Sequence, residues 1–399
     1  DIVATQGAAG AGAVQRRRAI FRIWPDFPVL PLVDRSCATI KADASRRTFG
    51  AGGLGITWAV VDSGIDGGHG HFATYRTLAG EVEGLHRDFT QAQADGTAAQ
   101  ALTDAFGHGT HVAGIIAGVA PDGQPLHIVQ HAQSATGGDV AEDRQLPAGA
   151  QLAGMAPMCK LISLKVLDGR GQGATSNVLR ALAYVREELN GNGKLPRVHG
   201  VNLSLGYEFD PKWFACGQSP LCAEVDRLAR SGVVVVVAAG NTGYGTQAAS
   251  ERATATGLNM TINDPGNAEL AITVGATHRD QPHVYGVSYF SSKGPTGDGR
   301  AKPDLVAPGE RITSCAAGQF RAGMTDPPSV ACYVDNTGTS VAAPHVSGAV
   351  AAFLSIRGEY INRPDEVKRI FLENATKLGR ERYFEGCGLV DLMRAIQAV

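Results

Sequence analysis

The run Val233-Val234-Val235-Val236-Val237, closed by Ala238-Ala239-Gly240-Asn241, constrains this chain more than any other stretch. A half-exposed strand alternates apolar and polar residues, whereas one that is apolar at every position must be covered on both faces. That is the setting of a central strand in a parallel sheet. Around it, strand-length apolar runs alternate with helix-length segments: Trp58 to Val61, a helix after His108, Leu161 to Leu167, a helix from Thr175 to Leu189, and Gly200 to Leu205. The series continues with a helix from Ala223 to Ala229, a strand from Ala271 to Val274, and helices from Ser340 to Ser355 and Pro364 to Leu372. Such alternation predicts an α/β fold, a mostly parallel central sheet with helices on both faces.

The chain has 399 residues, 44% hydrophobic and 19% charged, which is enough for a large core. No fixed repeat and no linker between two cores is visible, so one domain is read from residue 38 to 399, with an inserted loop near 120–149 where the chain turns polar and rich in Gly and Pro. Residues 1–37 read as a flexible tail: Ala- and Gly-rich to Val14, then basic at Arg16-Arg17-Arg18. A formal net charge of -2 gives no basic field for nucleic acid. Apolar runs such as Val233 to Ala239 fall short of the roughly 20 residues of a membrane span, and no signal peptide is read at Asp1.

Three glycine-framed stretches carry candidate chemistry. Trp58-Ala59-Val60-Val61 runs into Asp62-Ser63-Gly64, which places a carboxylate at the C-terminal end of a buried strand. Asp104-Ala105-Phe106-Gly107-His108-Gly109-Thr110-His111 leads into a helix. His108 and His111 are three apart and lack the Glu of the H-E-x-x-H zinc motif, so no metal is assigned to them. Gly338-Thr339-Ser340-Val341-Ala342-Ala343-Pro344-His345 starts a helix with Ser340 at its N-terminus. That serine is either an ordinary helix cap or a nucleophile whose reaction product is stabilised by the helix dipole.

Together these stretches resemble the subtilisin-like serine proteases, the subtilases, from about Thr39 to the C-terminus. The order Asp62, His108, Ser340 is the subtilisin order. The resemblance implies a three-layer subtilisin-like fold and a serine endopeptidase, made as a zymogen, in which Ser340 attacks the peptide carbonyl, His108 moves the proton and Asp62 orients the imidazole. It also implies that Asn241, at the end of the valine strand, joins the Ser340 backbone N–H in the oxyanion hole; a turn residue is the plainer reading of this Asn. Gly171-Gln172-Gly173 and Ser204-Leu205-Gly206 match the two edges that pair with an extended peptide, and Ala238, Ala239 and Gly240 match the wall of the primary specificity pocket. Small residues there favour large uncharged substrate side chains. The rival reading is a catalytically inactive binding protein of the same fold.

The chain departs from the family pattern at Val341, usually Met, and at His69-Gly70, usually His-Pro. Val341 is expected to narrow the leaving-group side, and Gly70 to loosen its loop. Subtilases need no organic cofactor and many bind structural calcium; Asp122, Asp139, Glu142 and Asp143 offer oxygens here but lack an ordered spacing, so no calcium site is assigned. Phe21 to Val29 looks like the last strand of an inhibitory prosegment, a partner besides the polypeptide substrate. Of seven cysteines, Cys216 with Cys222 and Cys315 with Cys332 are spaced for local disulfides, the alternative being buried thiols. The disulfide reading and the tail favour a secreted or periplasmic protein, with a cytoplasmic one as the alternative. Gly50-Ala51-Gly52-Gly53-Leu54-Gly55 fits G-x-G-x-x-G but precedes a strand instead of following one, which excludes a dinucleotide fingerprint.

Overall fold

The computed structural model describes residues 35–91, 96–122, 126–133, 139–146, 152–191, 196–249, 252–322 and 332–399. The expected tail and prosegment strand, up to residue 34, lie outside the described residues. The boundary expected at 37/38 falls inside a helix, Arg35–Thr39, whose Ser36 hydroxyl lies 2.8 Å from Nε2 of buried His345.

The strands are β1 (Thr57–Asp62), β2 (Arg87–Asp88), β3 (Leu126–Gln133), β4 (Asp139–Leu146), β5 (Lys160–Lys165), β6 (Gly200–Leu203), β7 (Val234–Ala238), β8 (Tyr244–Ala249), β9 (Arg252–Gly257), β10 (Ile272–His278), β11 (Leu305–Glu310), β12 (Ile312–Cys315) and β13 (Tyr333–Asn336). Seven form one sheet in the order β11-β10-β7-β6-β1-β5-β2, and all its neighbours are parallel.

The valine run shows why the sheet is covered twice. Val234, Val236 and Ala238 enter one core with the helix Thr339–Ile356, while Val233, Val235 and Val237 enter the other with Val225 and Leu228 of the helix Pro220–Arg230. β1 splits in the same way, Trp58 and Val60 against Ala59 and Val61. Burying one such side chain is worth roughly 1.5–3 kcal/mol, so neither face can be left bare. Gly200 is required by this packing, because a Cβ there would lie 2.1 Å from the Trp58 ring.

β5 is added on one side of β1 and β6 on the other, so the C-terminal edge of β1 is a topological switch point, where open α/β sheets bind ligands. The helix Thr339–Ile356 is long and apolar enough to cross a membrane, yet 83% of it is buried inside the fold, which makes it the core helix of the sheet.

Two features differ from the sequence reading. The stretch near 120–149, expected as a loop, contains a hairpin: β3 pairs antiparallel with β4 from Leu126↔Leu146 to Gln133↔Asp139, and parallel with β13. β4 reads Asp-Val-Ala-Glu-Asp-Arg-Gln-Leu, so its pairing leaves no apolar alternation to detect. Neither local disulfide is formed: Cys216, Cys222 and Cys315 carry free thiols. Cys222 is carried into the core by its helix and Cys216 packs beside Gly297 instead.

Candidate active site

Asp62 ends β1 with no exposed surface. One carboxylate oxygen accepts the Ser63 N–H at 2.8 Å, and the two oxygens lie 2.8 and 3.0 Å from His108 Nδ1. This pairing assigns the proton to Nδ1, so Nε2 is the nitrogen left to act as a base. His108 is the first residue of the helix His108–Ile116. Gly107 precedes it at φ 103, and a Cβ there would lie 2.3 Å from the Ala317 carbonyl oxygen.

Asp104 builds this corner. Its Oδ1 accepts from the Gly107 N–H at 2.7 Å and the Ser63 hydroxyl at 2.9 Å, and its Oδ2 from the Thr110 N–H and hydroxyl at 2.8 and 2.6 Å. Ser63 Oγ in turn accepts from the Gly109 N–H at 2.9 Å, locking the helix start to the strand end. Burial lowers the His108 pKa, but the charge and hydrogen bond of Asp62, with the charge of Asp104, outweigh it and hold the imidazole above its ordinary value. His111, buried one turn on, is pushed down to about 3 by burial and by His108, and its Nε2 meets the Val334 carbonyl at 3.1 Å. It is a neutral core histidine.

Ser340 is the second residue of its helix, and the N-cap position belongs to Gly338, which has no side chain to cap with. The cap reading of Ser340 thus fails on geometry. Asn241 follows β7, and its Oδ1 accepts from the Thr339 N–H at 2.9 Å and the Thr339 hydroxyl at 3.0 Å. Two donors on the oxygen leave the Nδ2 amide as the group available to a ligand. Thr339 Oγ1 also accepts from the Gly240 N–H at 3.1 Å, so one hydroxyl joins the end of β7 to the start of the serine helix. A Cβ at Gly338 would lie 3.2 Å from Ser340 Oγ and 3.3 Å from Asn241 Nδ2. The hydroxyl and the amide therefore flank one small open space.

His108, Asn241, Thr339 and Ser340 line a cleft of about 660 Å3 together with Gly171, Gln172, Gly173, Ser204, Leu205, Gly206, Ala238 and Gly240. Asp62 stands behind His108. Ala239 does not belong: it is fully buried, with its N–H on the Val274 carbonyl at 2.9 Å. Val341 is also fully buried in the core, so it does not narrow the leaving-group side. The loop expected to be loosened at Gly70 is tied by His69, which accepts the His71 N–H at 3.2 Å and lies 2.8 Å from the Cys332 carbonyl.

The cleft also uses Phe106, Leu167, Thr242 and Asn263, which sequence reasoning did not assign. Phe106 stood inside the histidine motif, and Thr339 inside the serine motif. Asn263 had only a turn signal, Asn-Asp-Pro-Gly, and its Oδ1 accepts from Thr242 Oγ1 at 3.0 Å, so part of the cleft wall is polar. Of the oxygens weighed for calcium, Asp139, Glu142 and Asp143 fall on β4 and Asp122 on an exposed turn; among the described residues no group of three His, Cys, Asp or Glu side chains is placed to hold a metal.

Residues 53–389 match the model of the subtilase family, peptidase S8. This chain belongs to the subtilase family. Among relatives of this subtilase are serine protease AprX of Bacillus subtilis, 30% identical over 332 residues that cover 81% of this chain and 62% of the relative, and pyrolysin of Pyrococcus furiosus, 29% identical over 333 residues that cover 73% and 21%. Subtilisin E of Bacillus subtilis is 28% identical over 358 residues, 90% of this chain and 70% of the relative. The chain thus spans less than two thirds of the first two relatives.

Proposed function

We propose that this subtilase is a serine endopeptidase. The observation that carries this reading is the pairing of buried Asp62 with His108 in the cleft that also holds Ser340 and the amide of Asn241. Ser340 Oγ attacks the scissile carbonyl as His108 Nε2 takes its proton, and His108 returns that proton to the leaving amine. Asp62 keeps the Nδ1–H tautomer and stabilises the imidazolium. The oxyanion is held by Asn241 Nδ2 and the Ser340 N–H. Water then hydrolyses the acyl-enzyme by the same groups. The substrate is an extended polypeptide lying between Gly171-Gln172-Gly173 and Ser204-Leu205-Gly206, with a large uncharged side chain beside Ala238 and Gly240.

The test is hydrolysis of a denatured protein, with kcat/KM followed across pH. Because His108 must be neutral and its pKa is held above the ordinary 6.5, activity falls on the acid side with a midpoint above 6.5. No hydrolysis at any pH would favour the inactive binding protein. A midpoint below 6.5 would contradict the Asp62–His108 electrostatics. Asn241→Leu removes the side-chain donor to the oxyanion while the Asp62–His108 pair stays intact. Steady-state kinetics should show kcat down by roughly 100- to 1,000-fold, a magnitude known from subtilisin, with KM little changed.

A further inference from the structure

The serine helix contains Pro344, four residues after Ser340. Proline has no N–H, so the Ser340 carbonyl loses the donor that an α-helix would give it. Ser204 replaces that donor, its hydroxyl reaching the Ser340 carbonyl oxygen at 2.6 Å. Behind Ser204, Asn202 Nδ2 donates to Ser204 Oγ at 2.8 Å, and Ser347 Oγ donates to Asn202 Oδ1 at 2.8 Å. The three side chains are buried. From Ser347 the chain of bonds leaves the serine helix, crosses β6 at Asn202, and returns to the same helix at Ser340.

Its polarity is fixed at every link. Ser347 satisfies the amide oxygen of Asn202, which sets the amide nitrogen toward Ser204. Ser204 Oγ, already accepting, turns its one proton to Ser340.

We propose that Ser204, Asn202 and Ser347 are positioning residues that fix the Ser340 carbonyl and so hold the nucleophile in register with the substrate edge. This rests on Ser340 being the nucleophile. Ser204 suits the task because it both starts the edge Ser204-Leu205-Gly206 in the cleft and holds the Ser340 backbone. An error at this bond displaces Oγ relative to the scissile carbonyl, and misplacements near 1 Å cost up to about 100-fold in rate.

The experiment compares Ser204→Ala, Ser204→Cys, Asn202→Asp and Ser347→Ala, each normalised by active-site titration on one peptide substrate. Ser204→Ala should lower kcat roughly 10- to 100-fold with KM and the acid-side midpoint unchanged, because neither the substrate edge backbone nor the Asp62–His108 pair is touched. Ser204→Cys, with a weak S–H donor, should recover part of the loss. In Asn202→Asp the carboxylate accepts from both serines and draws the Ser204 proton away from Ser340, which should reproduce the Ser204→Ala loss. Should that buried carboxylate prevent folding, Ser347→Ala, which unfixes the Asn202 amide, carries the test with a smaller fall in kcat. Wild-type kcat in Ser204→Ala, or a loss confined to KM or to thermal stability, overturns the positioning role while leaving the nucleophile in place. A wild-type chain that neither hydrolyses peptide nor reacts with a fluorophosphonate defeats both readings.

Discussion

Ser340→Ala abolishes peptide hydrolysis, lowering kcat by about a millionfold, the size of the loss known for subtilisin, while the melting temperature stays within about 2 °C of wild type. Both halves follow from geometry. The hydroxyl sits at the second helical position, and the cap position is glycine, so no capping bond is lost with it. Ser340's structural duties run through its backbone, whose carbonyl accepts from Ser204, and alanine keeps that backbone. A cap serine would give the opposite pattern, about 1 kcal/mol of stability lost and activity kept. Steady-state kinetics and thermal unfolding on the same preparation separate the two.

Asp62→Asn should lower kcat by about ten-thousandfold with KM nearly unchanged. Both Asp62 oxygens face His108 Nδ1. An asparagine can turn its NH2 toward that nitrogen, which selects the tautomer with the proton on Nε2 and leaves no base facing Ser340. The residual activity should also shift in pH. In the wild type, burial lowers the His108 pKa, and Asp62 together with the charge of Asp104 more than offsets it. Without the carboxylate charge the balance moves toward burial, so the acid-side midpoint moves down as the plateau collapses. An unchanged midpoint in Asp62→Asn would mean that another group titrates.

The central sheet was legible because both its faces are buried: Val233 to Val237 and Trp58 to Val61 are apolar at every position, a pattern that surface residues do not imitate. The β3–β4 hairpin was not, since an edge strand can be polar at most positions, as the sequence of β4 from Asp139 to Leu146 is. β11 was hidden by Pro308 and Gly309; it is one of the sheet's two edge strands, where a missing N–H on the open side costs no ladder bond. At the site, Asp62, His108, Ser340 and Asn241 were legible because each stands in a short motif at a strand end or helix start. Ser204 was read as part of a substrate edge and lines the cleft, but the reading did not reach its side chain, whose partners Asn202 and Ser347 are separated in sequence and meet only across β6 and the helix. Ala239 was misassigned because it lies just past the end of β7, fully buried with its N–H on the Val274 carbonyl, which the motif alone does not reveal. The cysteine spacings misled for a similar reason: nearness along the chain does not set the direction of a side chain.

The most direct measurement of the central claim is covalent. A fluorophosphonate reacts with a serine only where that hydroxyl is activated by a neighbouring base and its oxyanion is stabilised. The labelled protein, digested and mapped by mass spectrometry, should carry one phosphonyl group on Ser340, lost in the Ser340→Ala variant and formed far more slowly in Asp62→Asn. An adduct on a different serine, or equal labelling of the Ser340→Ala variant, would contradict the account.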